Sequence, residues 1–270
     1  MPTLQKRLLV SLETQTGVRI QAPSDTFFDH KLWGLTQKLG HKNVNALIKE
    51  SLALPSSPTS KAVLEALLNH ETSFFRDPTA FRNIREVIIP DLISKNHNAK
   101  KLRIWSAACS WGQEAYSIAM TIAALNLGHH GWDFDILASD CSHRCVESAR
   151  SGRFSQLQLN RGLPAKLLIQ HFEREGVAWR ARPALRKMLR FQILNLIEPW
   201  PFAAPFDLIL IRNVLVYFSP RHRADTLVRL RRLLRPGGVI VFGQSEGLLD
   251  LGEGFELVST RTFNFSRRRE

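Results

Sequence analysis

The 270-residue chain has no uninterrupted apolar run of the roughly 18 residues that a membrane-spanning helix needs. Its first residues, MPTLQKRLLVSLET, lack the apolar core of a secretory signal. It has only three cysteines, an odd number that makes no disulfide framework, and no His or Cys pair completes a zinc site with Cys141 and Cys145. These absences predict a cytoplasmic protein whose thiols are buried or unreactive.

Two common nucleotide-binding signatures are missing from residues 102–120, LRIWSAACSWGQEAYSIAM. This stretch has neither the Gly-x-Gly-x-x-Gly spacing of dinucleotide-binding enzymes nor the Lys and Ser/Thr of a phosphate loop, which argues against an ATPase. It does contain a strand pattern, a run of small and turn-prone residues, and a helix pattern. In that order these elements hold a nucleotide-like ligand at the carboxyl end of a strand. An ordinary strand-to-helix turn is the alternative interpretation.

Acidic residues are few relative to basic ones, because 24 Asp and Glu stand against 37 Lys and Arg, a formal net charge of +13. The excess is concentrated at 161–190, 221–235 and 267–269. Such a charge suggests nucleic acid as a partner first and an acidic protein surface second. Many of the arginines also fall on polar faces of predicted helices, where exposure to solvent explains them. Charge alone therefore does not identify the partner.

Hydrophobic periodicity predicts helices throughout the first 70 or so residues, and strands alternating with helices from about residue 100. The predicted fold class is α/β: an open, mostly parallel Rossmann-like sheet with a final antiparallel hairpin, typical of S-adenosylmethionine-dependent methyltransferases. We predict two domains, a small all-helical N-terminal domain at 1–80 and a methyltransferase domain at 81–270. Strand patterns at 177–181 and 188–194 predict a small antiparallel β insert at about 154–194.

Two acidic residues are the first candidates for ligand contacts. Glu114 falls in the first turn of the predicted helix, where a carboxylate meets the positive end of the helix dipole. Asp140 ends the second predicted strand, where an acidic residue commonly holds ribose hydroxyls. Its alternative role is to cap a helix at 143–151. The segment HETSFFRDP at 70–78 is either a junction pinned by buried phenylalanines or a lid in which Thr72 and Arg76 reach a ligand.

Six separated motifs occur in one order along the chain: HETSFFRDP at 70–78, RIWSAACSWGQEAYSIAM at 103–120, ILASD at 136–140, NL at 195–196, FDLILIRNVLVYF at 206–218 and RPGGVIVFGQSEGL at 235–248. Through them the chain resembles, over about residues 28–265, the CheR family of chemotaxis-receptor protein-glutamate O-methyltransferases. The presence of all six motifs in this order is far more specific to the family than any single motif. A helical N-terminal domain and a small β insert are also features of that family.

The resemblance implies transfer of the methyl group of S-adenosyl-L-methionine to glutamate side chains on the cytoplasmic helices of chemoreceptors. The products are glutamyl methyl esters and S-adenosyl-L-homocysteine. Arg76 is then expected near the methionine part of the cofactor, Asp140 at its ribose, and Asn195 and Leu196 beside its adenine. The implied cofactor-binding set is His70, Thr72, Arg76, Glu114, Asp140, Asn195, Leu196, Arg212 and Asn213. Arg103 and Tyr217, at motif positions near the transferred methyl group, are the candidate catalytic residues, and no metal is implied.

The chain departs from the family pattern at a few positions: His70 stands where Asn is usual, Gln113 for the first of two Glu, Ala115 for Pro, Cys141 for an aliphatic residue and Gln244 for His. None of these changes removes the Arg76, Glu114, Asp140 and Asn213 set, so cofactor binding is expected. A glutamate side chain, with an ordinary pKa of about 4.3, is already an anion at neutral pH. The reaction therefore needs alignment and exclusion of water rather than a general base.

The acidic receptor helices are the implied partner, and a basic surface suits them. The β insert resembles the part that, in some members, binds a tether peptide at the receptor C-terminus, and no membrane insertion is expected. Two rival functions stay open. A nucleic-acid methyltransferase of the same fold is favoured by the charge but lacks an Asn-Pro-Pro-aromatic motif. A non-catalytic S-adenosylmethionine-binding sensor is suggested by the departures at His70 and Gln113.

Overall fold

The computed structural model describes residues 3–21, 23–246, 249 and 251–269, and the chain divides into two compact units. The first runs up to His70 and includes Tyr217–Ala224, and the second holds Glu71–Val216 and the residues from Asp225 onward. The boundary between the two compact units thus falls after His70. The domain boundary at residue 80 stays a prediction. None of the helices in the described ranges has both the length and the apolar character needed to cross a membrane.

The first unit is helical because its apolar residues recur at helical spacing and its breaks carry capping residues. The Asn43 side chain accepts a hydrogen bond from the Ala46 amide, and the Ser57 side chain accepts one from the Ser60 amide, so each begins a helix. Buried leucines such as Leu8 and Leu47 face one another in its core. Its helices are α1 (Leu4–Thr16), α2 (Asp25–Lys38), α3 (Val44–Ala53) and α4 (Pro58–Leu67).

The second unit contains a seven-stranded sheet in the order β6-β2-β1-β7-β8-β10-β9. The first five strands in this order are parallel, and β10 and β9 form the antiparallel hairpin. The α/β fold class is therefore confirmed. The strands are β1 (Lys101–Ala107), β2 (Asp133–Asp140), β3 (Arg153–Ser155), β4 (Phe172–Glu175), β5 (Ala178–Ala181), β6 (Leu189–Ile193), β7 (Phe206–Ile211), β8 (Leu234–Phe242), β9 (Phe255–Ser259) and β10 (Asn264–Arg268).

Helices cover the faces of this sheet, which is why its central strands are largely apolar: all six residues of β7 are buried, and all but Asp207 are apolar. The connecting elements are α5 (Pro78–Asn83), a π-helical turn (Ile84–Ile88), α6 (Ile89–Lys95), α7 (Gln113–Ala123), α8 (His143–Ser151), α9 (Gln156–Asn160), α10 (Ala165–His171), α11 (Pro183–Arg186) and α12 (Pro220–Leu233). Short 3-10 turns lie at Leu127–His130, Leu215–Tyr217 and Gln244–Glu246. Residues 235–238 lie within β8, where the register against β7 shifts.

The predicted β insert differs from the observed one in its last strand. Three short strands, in the order β3-β5-β4, form a separate antiparallel sheet. The segment predicted at 188–194 instead forms β6, which pairs in parallel with β2 at the edge of the large sheet. The prediction that it belongs to the insert was wrong, because a short strand pattern does not specify its partner.

A buried aromatic residue of the segment 70–78, Phe74, packs against the insert. Phe74 packs edge-on against Phe154 and Phe172, with ring centroids 5.1 and 5.9 Å apart. Its amide donates a hydrogen bond to the carbonyl of Arg161 at 3.0 Å. Gly162 has φ +93°, and a Cβ there would lie 2.1 Å from the Phe74 carbonyl oxygen. Only glycine permits this close approach of two backbone segments.

We expect Gly162→Ala to lower the free energy of unfolding by more than the about 1–2 kcal/mol that a left-handed alanine costs, because the new methyl group also meets the Phe74 carbonyl. Gly176→Ala is the matched control: its φ is +64°, yet no described atom lies within 4 Å of the added Cβ. Urea unfolding measures both variants. Equal losses would contradict a steric role for the contact with Phe74.

Candidate active site

The sequence-predicted residues of the second unit gather mainly at one edge of the large sheet. Asp140 is the last residue of β2, Asn195 and Leu196 follow β6, and Arg212 and Asn213 follow β7. Because β6, β2, β1, β7 and β8 are parallel, their carboxyl ends share this edge. In open α/β sheets that edge is where ligands bind.

The loop from β1 to α7 has an unusual backbone. Ala108, Ser110 and Gly112 have φ of +57°, +50° and +93°. A Cβ at Gly112 would lie 2.8 Å from the Cβ of Ala149, so glycine lets α7 begin directly against α8. The Cys109 amide donates a hydrogen bond to the Ser139 carbonyl at 2.9 Å, which holds the loop on β2. Such left-handed residues cluster where the surrounding structure specifies a binding loop.

The Asp140 carboxylate organises this loop. It is 6% exposed, and its two oxygens accept hydrogen bonds from the amides of Ser110, at 2.8 Å, and Ser142, at 2.9 Å. The helix cap proposed as its alternative role belongs to another residue, because the Ser142 hydroxyl accepts the hydrogen bond from the Cys145 amide that begins α8. Asp140 thus links the ends of β1 and β2. A carboxylate oxygen can accept more than one hydrogen bond, so this contact is compatible with a hydroxyl ligand.

An ion pair between the partly buried Glu114 and the buried Arg212 lies beside this loop. Glu114 receives a hydrogen bond from the Ser106 hydroxyl at 2.8 Å and one from the Arg212 guanidinium at 3.0 Å. The Arg212 side chain is 2% exposed, lies 3.6 Å from the Asp77 carboxylate and donates to the Arg76 carbonyl at 2.8 Å. The pair therefore joins β1, α7, the end of β7 and the segment 70–78. Removing one member would leave an uncompensated buried charge, which is strongly destabilising.

The phenylalanines of the segment 70–78 pack against other rings of the second unit, which both interpretations of the segment require. Phe74 is 1% exposed, and the Phe75 ring lies 5.2 Å from that of Phe81. Thr72 and Arg76 are half-buried, and the Arg76 side chain donates to the Glu71 carbonyl at 3.0 Å. Contact of Thr72 and Arg76 with a ligand stays a prediction.

After β6 the chain turns within a few residues. The Leu194 amide donates to the Asp140 carbonyl at 2.9 Å, which continues the pairing with β2. The Asn195 side chain accepts a hydrogen bond from the Ile197 amide at 3.3 Å and donates to Glu198 at 3.2 Å. Leu196 is 5% exposed. Asn195 and Leu196 thus come directly after the residue that pairs with Asp140. Their contact with an adenine stays a prediction.

Glu246 is the residue that sequence reasoning missed. It is 9% exposed, and its carboxylate accepts four backbone hydrogen bonds at 2.6–2.9 Å, from Asn213, Val214, Leu215 and Gly243. These contacts tie the loop after β7 to the loop after β8. They hold Asn213 at φ +58°, a left-handed conformation that is uncommon outside glycine. The available signal was an acidic residue between glycines, GQSEG, directly after a buried strand.

Arg103 lies away from this edge of the sheet, and two further predicted residues belong to the first unit. Arg103 lies in β1 four residues before its end, about 13 Å from the carboxyl edge. Its guanidinium lies 3.2 Å from Asp135, donates to the Pro205 carbonyl at 3.0 Å and covers the Phe206 ring. The other two belong to the helical unit. The Tyr217 hydroxyl accepts a hydrogen bond from Asn69 at 3.1 Å, and an imidazole nitrogen of His70 lies 3.1 Å from the Glu65 carbonyl.

The contacts of Arg103 are those of a structural residue. Burial acts to raise the pKa of Asp135, but hydrogen bonds from Arg190 and Arg103 outweigh it and the pKa is lowered. We expect Arg103→Ala to lower the free energy of unfolding by about 2 kcal/mol, since charge-assisted hydrogen bonds are lost. Cofactor affinity and turnover per folded molecule should stay within about twofold of wild type. Thermal melting measures the stability, calorimetry measures the cofactor affinity, and transfer of radiolabelled methyl groups measures the turnover. A large loss of turnover in a folded variant would restore a catalytic role for Arg103.

The cysteine nearest the site is not a reactive nucleophile. Cys109 is 1% exposed, and burial, together with the Asp140 and Glu114 carboxylates, raises the pKa of its thiol well above the ordinary value. Cys145 is also buried, whereas Cys141 is exposed. Covalent catalysis by a thiolate of Cys109 therefore has no support.

The site presents mostly hydrogen-bond acceptors. Besides the carboxylates of Asp140 and Glu114, the amide oxygen of Gln113, the first residue of α7, is buried and has no hydrogen-bond partner among the described residues. Acceptors at the ends of β1 and β2 suit a ligand that carries hydroxyl and ammonium donors. Together with the parallel sheet and its antiparallel hairpin, this arrangement is that of a methyltransferase that binds S-adenosylmethionine.

Comparison with known proteins gives the same class. A family model described as CheR methyltransferase, SAM binding domain, matches residues 70–264. Chemotaxis protein methyltransferase Cher2 of Pseudomonas putida is 33% identical over 253 residues, which cover 92% of each chain. Chemotaxis protein methyltransferase of Vibrio parahaemolyticus is 31% identical over 250 residues, 92% of this chain and 90% of the relative. The solved glycopeptide N-methyltransferase MtfA with S-adenosylmethionine is similar at a TM-score of 0.36 and 14% identity, covering 74% of this chain and 70% of MtfA.

The chain therefore belongs to the CheR methyltransferase family. S-adenosylmethionine is its cofactor. The resemblance inferred from the six motifs is confirmed.

Proposed function

We propose that this protein methylates glutamate side chains on the cytoplasmic helices of chemoreceptors, and that it does so in the cytoplasm. The observation that carries the proposal is a pair of carboxylates, the buried Asp140 and the partly buried Glu114, held at the carboxyl edge within the matched family domain. Similarity to proteins named chemotaxis protein methyltransferase, over 92% of the chain, supports the choice of substrate.

In this proposal the cofactor is held by residues already described. Asp140 accepts hydrogen bonds from the ribose hydroxyls, and Asn195 and Leu196 flank the adenine. Thr72, Arg76 and Glu114 line the methionine end, and Arg212 fixes Glu114 in place. His70 and Asn213 complete the proposed binding set. S-adenosylmethionine, when bound, supplies a methyl group on a sulfonium that carries its own leaving group.

The remaining task of the protein is alignment. The acceptor glutamate is already ionised at neutral pH, so its carboxylate attacks without a general base. Holding the oxygen in line with the methyl group and the sulfur can contribute roughly 7–11 kcal/mol. Tyr217 is a candidate for a hydrogen bond to the acceptor glutamate. Arg103 is the weaker catalytic candidate, because its guanidinium pairs with Asp135.

The receptor is proposed as the partner because its acidic helices complement a chain of net charge +13. The insert is the candidate place for a receptor tether peptide. Several of its arginines are paired with its own acids, as in Arg153 with Glu175 at 3.1 Å and Arg182 with Glu173 at 3.8 Å. Exposed pairs of this kind are weak, so an acidic peptide can compete for the arginines.

The test is transfer of radiolabelled methyl groups to a receptor cytoplasmic fragment, compared with the same fragment after replacement of its candidate glutamates by alanine. Label that appears only in the first fragment and is released by mild alkali supports a glutamyl ester. Label that instead enters RNA or DNA would assign the nucleic-acid activity. Tight binding of S-adenosylmethionine with no transfer to either substrate would identify a sensor.

A further inference from the structure

A basic cleft lies along the outer edge of the large sheet. Its volume is about 500 Å³, and its walls include Arg150, Arg186, Lys187 and Arg190, with the apolar Leu189 and Phe191 between them. Because β6 is an edge strand and residues 189–191 form its first half, the cleft lies before the carboxyl edge that holds the candidate active site. It is therefore a separate feature of the second unit.

Two of the four cations are held in place by specific contacts. Arg150 forms an ion pair with Glu147 and donates a hydrogen bond to the Phe191 carbonyl at 2.8 Å. Arg190 donates two hydrogen bonds to the Asp135 carboxylate, at 2.8 and 2.9 Å. Side chains ordered before binding lose less conformational entropy when a ligand arrives.

Arg186 is seated in a different way. Gly152 has φ +67°, and a Cβ there would lie 2.8 Å from Cδ of Arg186 and 2.8 Å from the Tyr116 hydroxyl. The absence of a side chain at Gly152 thus makes room for the stem of Arg186. Within the ranges that the structure describes, no carboxylate forms an ion pair with Arg186 or Lys187, and Nε of Arg186 is buried without an acceptor. The cleft therefore has positive charge that the chain itself does not neutralise.

We propose that this cleft binds a nucleotide-sized ligand that carries two or more phosphates. Guanidinium groups donate charge-assisted hydrogen bonds to phosphate oxygens, and three of them line one concavity here; Arg190 donates to Asp135 through Nε and Nη2, which leaves its Nη1 for a ligand. A volume of about 500 Å³ suits a ligand of that size, and the walls formed by Leu189 and Phe191 suit its less polar part. A concave site with ordered arginines favours a compact polyanion over an extended acidic helix.

Calorimetric titration of the full-length protein with ATP and with inorganic tripolyphosphate, at about 0.15 M salt, tests the proposal. Both probes should bind, and Arg186→Gln/Lys187→Gln should weaken them at least about tenfold. The matched control is Lys6→Gln/Arg7→Gln, which removes an exposed lysine and the exposed arginine next to it in α1. The control should bind both probes as wild type does. Titration with S-adenosylhomocysteine should be unchanged in both variants, which shows that they are folded and separates this result from the proposed function.

Four outcomes would overturn the proposal. The first is displacement of ATP by S-adenosylhomocysteine, which would place the nucleotide in the cofactor site. The second is failure of both probes to bind, which would mean that the cleft holds no phosphate ligand. Equal weakening in the control would overturn it too, since it would show only general attraction between opposite charges. The fourth is binding of a glutamate-rich peptide that depends on Arg186 while neither phosphate probe binds, which would make the cleft a protein contact.

Discussion

Asp140→Ala is expected to lose at least about 100-fold, or about 2.8 kcal/mol, in affinity for S-adenosylmethionine and S-adenosylhomocysteine. Two effects combine in this loss. The proposed hydrogen bonds to the ribose disappear, and hydrogen bonds to a charged group each contribute about 1.5–3 kcal/mol. The amides of Ser110 and Ser142 also lose their acceptor, so the left-handed loop at 108–112 is released from the end of β2. Calorimetric titration with both ligands measures the change.

Asp133→Ala is the matched control, because Asp133 begins the same strand at the opposite end and its side chain is 63% exposed. It should bind both ligands as the wild type does. Asp140→Asn, which keeps the side-chain volume but replaces one acceptor oxygen by a donor, should fall between wild type and Asp140→Ala. Wild-type affinity in a folded Asp140→Ala protein would refute the assignment of Asp140 to the cofactor site.

The features that sequence predicted well are those set by local pattern. The strand FDLILI is apolar at every position except Asp207 because helices cover both faces of a parallel sheet, and the structure buries all six residues. Asp140 was identifiable because it is an acid at the end of such a strand. The helical first unit followed in the same way from apolar residues at helical spacing.

The features that sequence did not predict depend on partners distant in the chain. Nothing in residues 188–194 specifies that β6 pairs with β2 rather than with β5, because a strand pattern gives the face that is buried and not the neighbour. Arg103 lies within a family motif, yet only the pairing of β1 with β2 shows that its partner is Asp135, away from the carboxyl edge. The ion pair between Glu114 and Arg212 spans 98 residues and has no local signature.

Glu246→Gln is the other change expected to have a large effect. A carboxylate accepts all four backbone hydrogen bonds at this position, whereas a glutamine side chain has one acceptor oxygen and places an NH₂ group against the remaining amides. A buried amide that loses its acceptor costs about 1–3 kcal/mol, so the free energy of unfolding should fall by about 2–4 kcal/mol. Since Asn213 is held in its left-handed conformation by these contacts, cofactor affinity should also fall, by about tenfold. Thermal melting and titration with S-adenosylhomocysteine measure the two effects.

Glu256→Gln, at a position on β9 whose side chain is 46% exposed, is the control and should leave both quantities unchanged. A double-mutant cycle with Asn213→Ala separates positioning from general stabilisation. If Glu246 acts on the cofactor through Asn213, the two changes should lower affinity by less together than the sum of their separate effects, because the first already removes what the second disturbs. Purely additive losses would mean that the two residues act independently. A lower melting temperature with wild-type affinity would mean that Glu246 holds the ends of β7 and β8 together without shaping the cofactor site.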